Sequence, residues 1–293
     1  TLFLKDDDPS KTAYLLIRDS VKGGQPTMWQ MWTVSETVDT PENVTNIAAL
    51  LANKPGHKIL PARELKGDRF TAIGQLGVDV EYYVASPSGT PRHTLRWGTD
   101  MFDWANKLAQ PEYQDLLHLQ MPGDGTYYVA FFPRRRTTPA PTFSTLGDGT
   151  IIKLSGEFGT DYGFLSALAT TATGENAAFH GTAASVQDRK SGLVMTLGAK
   201  GDVRYNVYRL AADFPAALRI RKQQLTVDLP REIQPPAFRP SQAFPGGTVK
   251  VDAPGRWTLS KPHPGVKLTR SATGFVLNVP AGTRAVTLMV KGD

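Results

Sequence analysis

The sequence predicts an all-β fold, in which a large antiparallel β-sandwich is followed by a small C-terminal β unit. Two observations predict it. Turn-forming pairs of glycine, proline and aspartate recur along the whole chain, and the runs between them are short and rich in Val, Ile, Leu, Thr and aromatic residues. This is the pattern of strands joined by hairpins. Helical periodicity, by contrast, is confined to residues 41–53 and 100–109.

Segments with the residue composition of β-strands occur along most of the chain. The clearest hairpin is the segment LLHLQMPGDGTYYVAFF, in which a turn at residues 122–125 joins two apolar arms. Residues 41–53 begin with a proline in a first-turn position and space Val44, Ile47 and Leu50 at helical intervals, so we expect a short helix there. The predicted strands are residues 14–19, 27–34, 78–85, 126–132, 150–154, 162–168, 178–186, 193–197, 203–210 and 218–229.

A proline-rich segment near the C-terminus predicts the domain boundaries. Residues 229–247 contain five prolines and two glycines, and proline lacks the N–H that a sheet interior needs. We therefore expect a large sandwich in residues 1–230, a semi-rigid linker in residues 231–246 and a small β unit in residues 247–293. Because so short a unit has little core of its own and the chain has no cysteine, we expect it to pack against the main sandwich or a partner.

Composition and charge exclude several classes of function. The absence of cysteine excludes disulfides, thiolate nucleophiles and cysteine-ligated metals, and no apolar run is long enough to predict a membrane span. The net charge of +6 arises in residues 231–293, which carry nine basic and three acidic residues. Because these basic residues are dispersed singly, they favour a solvated sheet face, and no nucleic-acid partner is predicted.

The densest cluster of polar and aromatic residues is the segment TPRHTLRWGTDMFDW. An indole covers the apolar face of a sugar ring, and an arginine pairs with a carboxylate or sulfate, so these residue types favour a carbohydrate site. A histidine there is able to transfer a proton near neutral pH. The alternative is a loop whose tryptophans cover a sheet edge and whose charges pair locally. The candidates are Arg92, His93, Arg96, Trp97 and Trp104, with Asp100 and Asp103 nearby.

A second candidate site is the run of three arginines in the segment FFPRRRTTPAPTF. In a strand, Arg134 and Arg136 share one face and Arg135 takes the other. Three adjacent like charges require either solvent or matching anions, and an acidic polysaccharide is one such anion. Both possibilities remain open from the residues alone.

No cofactor and no metal are predicted, although a structural divalent cation is left open. The five histidines are scattered without metal-ligand spacing. His118 and His180 lie among apolar residues, which favours hydrogen-bonded structural roles. The chain also lacks a nucleophile elbow, a P-loop and a dinucleotide fingerprint.

Several segments together resemble one family of enzymes. The stretch YLLIRDSV, followed by a short loop and WQMWTVSE, resembles part of the β-sandwich of the heparinase II/III-like and chondroitin-lyase-like polysaccharide lyases. The segments GTDYGFLSAL, FHGTAASVQDR and GLVMTLGAKGDVRYNVYRL are similar to successive strands of that sandwich. The resemblance covers roughly residues 13–210.

The resemblance implies a secreted or periplasmic bacterial lyase that acts on an acidic polysaccharide. In this family an N-terminal α/α toroid precedes the sandwich and supplies most catalytic Asn, Tyr and His groups. This chain has no long helical region, so the resemblance implies that the toroid is missing or on another chain and that these residues are the latter part of a longer enzyme. The family's histidine on the sandwich would also fall before Thr1, so none of the family's catalytic residues can be placed on this chain.

β-Elimination from a uronic acid requires a group that neutralises the carboxylate, a base for the α-proton and an acid for the leaving oxygen. Residue types alone suggest Arg92, Arg96 and the three arginines for the first role, and Trp97 and Trp104 as stacking platforms. His93, Tyr82 or Tyr83 would serve as acid or base. Two alternatives stay open, namely a non-catalytic carbohydrate-binding module and a structural or adhesin-like surface module.

Overall fold

The computed structural model describes residues 1–6, 11–52, 59–74, 76–103, 108–233 and 241–290, with the backbone alone at 50–52, 99–103 and 108–113. The chain divides into two compact units. Unit 1 is Phe3–Ala140 with Thr1, and unit 2 is Pro141–Asp293 with Leu2. Nearly all described residues outside turns lie in antiparallel strands, which confirms the predicted all-β fold.

Unit 1 contains one described helix, α1 (Ile47–Ala52), so the helix expected over residues 41–53 forms only in its second half. Its described residues form ten strands, which are β1 (Leu2–Lys5), β2 (Ala13–Val21), β3 (Thr27–Thr33), β4 (Ser35–Asp39), β5 (Leu60–Glu64), β6 (Arg69–Gly74), β7 (Val78–Ser86), β8 (Arg92–Asp103), β9 (Leu108–Met121) and β10 (Gly125–Arg135). They form a six-stranded sheet in the order β1-β2-β10-β7-β6-β4 and a four-stranded sheet in the order β3-β9-β8-β5.

The core of unit 1 lies between these two sheets. Phe70, Val84 and Phe131 of the six-stranded sheet belong to the same buried apolar cluster as Leu117 and Leu119 of the four-stranded sheet. In a strand, successive side chains point to opposite faces. Each sheet therefore contributes one apolar face to this sandwich, while the alternate residues of the four-stranded sheet point away from the core.

The helix predicted at residues 100–109 is wrong. Residues 100–103 continue β8 and residues 108–109 begin β9, and the two strands pair antiparallel from Arg92 opposite Leu119 to Asp103 opposite Leu108. Helical spacing of a few apolar residues is a weak signal. Here the hydrogen bonds to the neighbouring strand override it.

In the part of unit 2 that the structure describes, the chain forms sixteen strands. They are β11 (Thr142–Leu146), β12 (Ile151–Gly156), β13 (Gly159–Gly174), β14 (Ala177–Arg189), β15 (Gly192–Leu197), β16 (Gly201–Tyr205), β17 (Tyr208–Ala212), β18 (Ala216–Arg221), β19 (Gln224–Asp228), β20 (Glu232–Ile233), β21 (Gln242–Ala243), β22 (Gly246–Asp252), β23 (Trp257–Leu259), β24 (Lys267–Arg270), β25 (Gly274–Pro280) and β26 (Ala285–Val290). All but the β20–β21 pair belong to one continuous sheet.

This large sheet divides into two branches at β14. The first part of β14 pairs with β16, and its last part pairs with β15. One branch runs β15-β18-β19-β26-β23 and the other β16-β17-β22-β25-β24. Leu218 and Val227 of the first branch share one buried cluster with Val249 and Leu277 of the second. The two branches therefore face each other as the layers of a second sandwich.

The C-terminal strands are integral parts of this sheet. β22 pairs with β17, and β26 pairs with β19, so residues after 246 extend both branches. The short C-terminal segment thus packs against the strands that precede it, as its small size leads us to expect. The segment 231–246 falls within unit 2, and its residues 234–240 lie outside the described part.

Candidate functional site

The outer face of the four-stranded sheet carries one half of the polar and aromatic cluster predicted from the sequence. Along β8, Arg92, Thr94 and Arg96 are buried, whereas His93 is only partly buried and Trp97 is 49% exposed. Because successive residues of a strand point to opposite faces, the arginines point into the sandwich. His93 and Trp97 point outward.

Strand pairing brings residues from distant parts of the sequence onto this outer face. Three cross-strand rows define what we call the tryptophan face. These rows are Glu64, His93, His118 and Gln30, then Leu95, Leu116 and Trp32, and then Trp97 and Gln114.

The tryptophan face exposes two large indoles. Trp32 is 43% exposed and Trp97 is 49% exposed. Two strand spacings of about 4.8 Å and a rise of about 6.6 Å along the strand place their Cα atoms about 12 Å apart. This is wider than one sugar ring. Clustered exposed aromatics on a soluble domain mark an interaction surface more often than a single exposed apolar residue does.

A histidine pair occupies the row of the tryptophan face next to that of Trp32. His93 and His118 are directly opposite each other on β8 and β9. Burial, together with the neighbouring His93, lowers the pKa of His118, so His118 is neutral at pH 7. Its Nε2 atom is buried and has no hydrogen-bond partner among the described residues, which differs from the structural role predicted for it.

His180, in unit 2, has the hydrogen bond that the sequence leads us to expect. Its Nδ1 atom lies 3.0 Å from the hydroxyl of Thr171 on the neighbouring strand. Its side chain is exposed, however, in spite of the apolar residues around it in the sequence.

Arg96 is held inside the sandwich of unit 1. Its guanidinium donates to both carboxylate oxygens of Asp115, at 3.0 and 2.8 Å, and to the carbonyls of Ser35 and Glu36. Ser35 also donates its hydroxyl to Asp115 at 2.7 Å. Since Arg96 and Asp115 are each 4% exposed, this arginine is fully engaged by the chain itself.

Arg92 is likewise occupied by internal partners. Its Nη2 atom lies 2.5 Å from Asp68 and donates to the carbonyl of Pro87, while Nη1 donates to the carbonyl of Thr90. The side chain of Arg92 is 5% exposed. It secures the loop between β7 and β8, and it points away from the tryptophan face.

The three consecutive arginines divide between the two faces of β10, as the alternation predicts. Arg135 is exposed, whereas Arg134 and Arg136 are only partly so. Arg134 donates twice to Glu81, at 2.9 and 2.7 Å, and Arg136 pairs with Asp79 at 2.9 Å. The anions that match these two arginines are thus carboxylates of the adjacent strand β7.

Both carboxylates of this arginine–carboxylate cluster are buried. Asp79 is 0% and Glu81 is 1% exposed. Thr71 donates its hydroxyl to the second oxygen of Glu81 at 2.9 Å, and Arg69 approaches the same oxygen at 3.5 Å. The spacing of Asp79 and Glu81, two residues apart in the strand-like segment VDVEYY, is the signal that places both carboxylates on one face.

The tyrosines suggested as acid or base do not lie on the tryptophan face. Tyr82 is 1% exposed in the core of unit 1, and its burial raises its pKa well above the ordinary range. Tyr83 is half-buried on the opposite face of β7, opposite Ala130 of β10. Neither phenol is available to a ligand that lies beside His93.

Unit 2 contains a separate group of tyrosines and carboxylates. Tyr162 donates its hydroxyl to Glu175 at 3.0 Å, and Tyr205 donates to Asp188 at 2.8 Å. Burial and the adjacent Asp188 raise the pKa of Tyr205 to about 12. Both phenols are therefore protonated hydrogen-bond donors at neutral pH, which favours a structural role.

The remaining predicted residues lie partly or wholly outside the described residues. Trp104 is not described, and Asp100 and Asp103 are described by their backbone alone. Among the described residues, no group of three or more His, Asp or Glu side chains is placed to hold a metal ion. No helix in the described part of the chain is long and apolar enough to cross a membrane.

Sequence reasoning missed Trp32, Gln30 and Gln114 as members of the site. The signal for Trp32 was the strand-like segment TMWQMWT, because tryptophans three residues apart must take opposite faces of a strand. Trp29 accordingly packs on the core of unit 1, whereas Trp32 points outward. That Trp32 shares a face with Trp97 follows only from the strand pairing.

The comparisons with known proteins leave the family of the chain open. No family model matches the sequence, and no curated protein is significantly similar to it.

Proposed function

We propose that unit 1 is a carbohydrate-binding β-sandwich and that its tryptophan face binds a glycan chain. The observation that carries this proposal is the pair of exposed indoles, Trp32 and Trp97, on one face of a four-stranded sheet. Indoles stack on the apolar faces of sugar rings. Because the two side chains are farther apart than one ring, they would contact different sugars of an extended chain.

Polar side chains beside the indoles suit the hydroxyl groups of sugars. Gln30 and Gln114 each carry an amide donor and an acceptor on this face, and His118 and His93 lie in the same row as Gln30. The buried Arg92 and Arg96 do not contribute. The tryptophan face itself therefore favours recognition of ring faces and hydroxyl groups, and such a module would act on glycans outside the cytoplasm.

Affinity electrophoresis against soluble neutral and uronic-acid polysaccharides tests this proposal. We expect retardation in at least one gel, and Trp32→Ala or Trp97→Ala should each weaken the binding about tenfold, because an aromatic contact contributes about 1–1.5 kcal/mol. The control is Leu168→Ala, which removes a 75% exposed apolar side chain from unit 2. Equal binding by the wild type and both tryptophan variants, or binding to no polysaccharide, would contradict the proposal.

The position of His93 favours a second candidate function, the sandwich part of a polysaccharide lyase. His93 lies on the same strand and the same face as Trp97, four residues away. In β-elimination, a base removes the proton from C5 of a uronic acid, the C4–O bond breaks, a C4=C5 double bond forms, and the leaving oxygen takes a proton. His93 would be the base. The carboxylate-neutralising group and the acid would come from a helical toroid domain or chain.

Release of unsaturated product distinguishes the two candidates. The chain, alone and with any copurifying polypeptide, is incubated with the uronic-acid polysaccharides that it binds, and near-ultraviolet absorbance is followed. An increase that His93→Ala abolishes, while the variant is still retarded in the polysaccharide gel, would support the lyase candidate. Binding without any increase in absorbance would support the non-catalytic module.

A further inference from the structure

A concave site lies wholly within unit 2. A cavity of about 600 Å³ opens among three chain segments, which are the turn after β16 at Val207, the loop 253–257 and the turn 270–275. Cavities of about 300–1,000 Å³ accommodate small organic ligands. This cavity has no part in the tryptophan face and is formed by different strands.

The charge of this cavity is positive. Arg256 and Arg270 both line it, and both side chains are exposed. None of the described residues that line the cavity is acidic. Neither guanidinium has a hydrogen bond or ion pair with any residue that the structure describes.

The charged side chains near the cavity have partners within the chain, unlike the guanidinium groups of Arg256 and Arg270. Arg209 pairs with Asp202. Asp252 accepts the hydroxyl hydrogen bond of Thr273 at 2.5 Å and lies 4.0 Å from Arg209. The carboxylate of Asp252 is thus already engaged.

The backbone around the two arginines is held in place by hydrogen bonds. The amide of Ser271 donates to the carbonyl of Gly274 at 3.0 Å, and the amide of Ala253 donates to the carbonyl of Thr273 at 3.1 Å. The indole of Trp257 donates to the carbonyl of Pro254 at 3.0 Å. Both loops are therefore preorganised, which lowers the entropic cost of binding a ligand between them.

Gly274 shows how closely these segments approach each other. A Cβ atom at this position would lie 2.1 Å from the carbonyl oxygen of Val251. Only glycine allows β25 to come so near β22 at the point where the turn that follows Arg270 ends. The placement of Arg270 at the cavity is thus built into the sheet.

We propose that this cavity binds a small organic ligand through a carboxylate or sulfate group, which Arg256 and Arg270 contact together. A guanidinium presents two parallel N–H donors that match the oxygens of such groups. Apolar atoms of Val207, Trp257 and Phe275 would contact the body of the ligand. A sugar acid fits both the volume and the chemistry, and the site does not depend on glycan binding by the tryptophan face.

NMR titration of the full chain tests this site. Amide and indole resonances are followed while sodium sulfate or sodium glucuronate is added at constant ionic strength, balanced with chloride. We expect saturable shifts at Thr273, Gly274 and the Trp257 indole. Saturation by glucuronate at lower concentration than by sulfate would support a sugar acid as the ligand, and equal saturation would support recognition of the oxyanion alone.

A pair of double variants separates this site from general charge attraction. Arg256→Ala with Arg270→Ala should weaken binding at least tenfold. The control, Lys250→Ala with Arg284→Ala, removes the same charge from exposed positions elsewhere in unit 2 and should bind normally. Equal weakening in both variants, or no saturable shift at the three reporters, would overturn the proposal.

Dispersed spectra verify that each variant is folded, and the single variants Arg256→Gln and Arg270→Gln provide the test if the double variant is not. The reporters all lie in unit 2. Failure here is therefore distinguishable from failure of glycan binding, which is read from the tryptophan variants of unit 1.

Discussion

The two units solve the problem of packing sheets in different ways. Among the described residues, unit 2 surrounds a large apolar cluster and has one buried ion pair, Arg189 with Asp161, joined at 2.5 Å. Unit 1 has a smaller apolar cluster but buries more charge. Its buried charged side chains are Glu36, Asp79, Glu81, Arg92, Arg96 and Asp115.

This difference indicates what role the buried charges of unit 1 have. Breaking a buried ion pair is costly, but an apolar pair of similar volume often serves stability as well, and in some proteins such a pair specifies one arrangement of the chain. Arg96 joins β8 of one sheet to the carbonyls of Ser35 and Glu36 at β4 of the other. We infer that Arg96 fixes how the two sheets of unit 1 align. In unit 2 the two layers are branches of one continuous sheet, and this continuity aligns them.

The largest expected effect comes from removing this connection. Arg96→Ala would leave Asp115 buried without its cation and should lower the free energy of unfolding of unit 1 by about 3–5 kcal/mol. Denaturant-dependent hydrogen exchange, resolved by segment, measures each unit separately. The control, Arg96→Met with Asp115→Leu, should restore most of the loss. If Arg96→Ala were as stable as the wild type, the ion pair of Arg96 and Asp115 would have no part in holding the two sheets of unit 1 together.

A substitution in the apolar core of unit 2 tests whether its two branches share one core. Leu218 is 0% exposed in the cluster that both branches share. Leu218→Ala should destabilise unit 2 by about 2–5 kcal/mol because it leaves a cavity. Hydrogen exchange should show the loss in β15, β18 and β19. If the exchange of β16, β17 and β22 were unaffected, the two branches would not share one core.

The run of arginines provides a matched pair of variants. Arg134 is 11% exposed at its side chain and neutralises Glu81, so Arg134→Ala should cost unit 1 roughly 2–4 kcal/mol, somewhat less than a fully buried pair. Arg135→Ala removes an exposed neighbour and should change stability by less than about 0.5 kcal/mol. Chemical denaturation compares the two. Equal losses would contradict the assignment of Glu81 to Arg134.

The smallest expected effect is a dependence of the stability of unit 1 on pH, which arises from His118. Because its pKa is lowered in the folded state, the unfolded chain binds the proton more readily. The contribution of His118 to stability is full above its ordinary pKa of about 6.5 and declines as the pH falls through that value towards the folded pKa. Denaturation of unit 1 at pH 8 and pH 5.5 measures this. His118→Gln should show a smaller difference, and an unchanged difference would contradict this origin.

Much of the local structure was predictable, because it depends on neighbouring residues. The turn at residues 122–125 joins β9 and β10 as expected, and alternation separates Arg135 from Arg134 and Arg136. The same rule, applied to the segment TMWQMWT, separates Trp29 from Trp32. The helix predicted at residues 100–109 failed because its apolar spacing also suits a strand once β8 and β9 pair.

The candidate site was predictable only in part. Trp97 and His93 were identified from residue type, and the structure places both on the tryptophan face. Arg92 and Arg96 were identified on the same grounds, yet both point into the sandwich. Residue type cannot separate these groups, because the direction of each side chain depends on where the strand begins and which face the core covers.

The sequence by itself determined that this chain is all-β and where many of its strands and turns lie, because composition and alternation act over a few neighbouring residues. Tertiary structure alone decided which strands pair. It brings Asp79 and Glu81 to arginines that are more than fifty residues away in the sequence. It also places Trp32 on the same face as Trp97 and pairs β26 with β19. The physical reason is that a strand edge accepts any partner with matching hydrogen bonds, so the burial of the whole core selects the pairing.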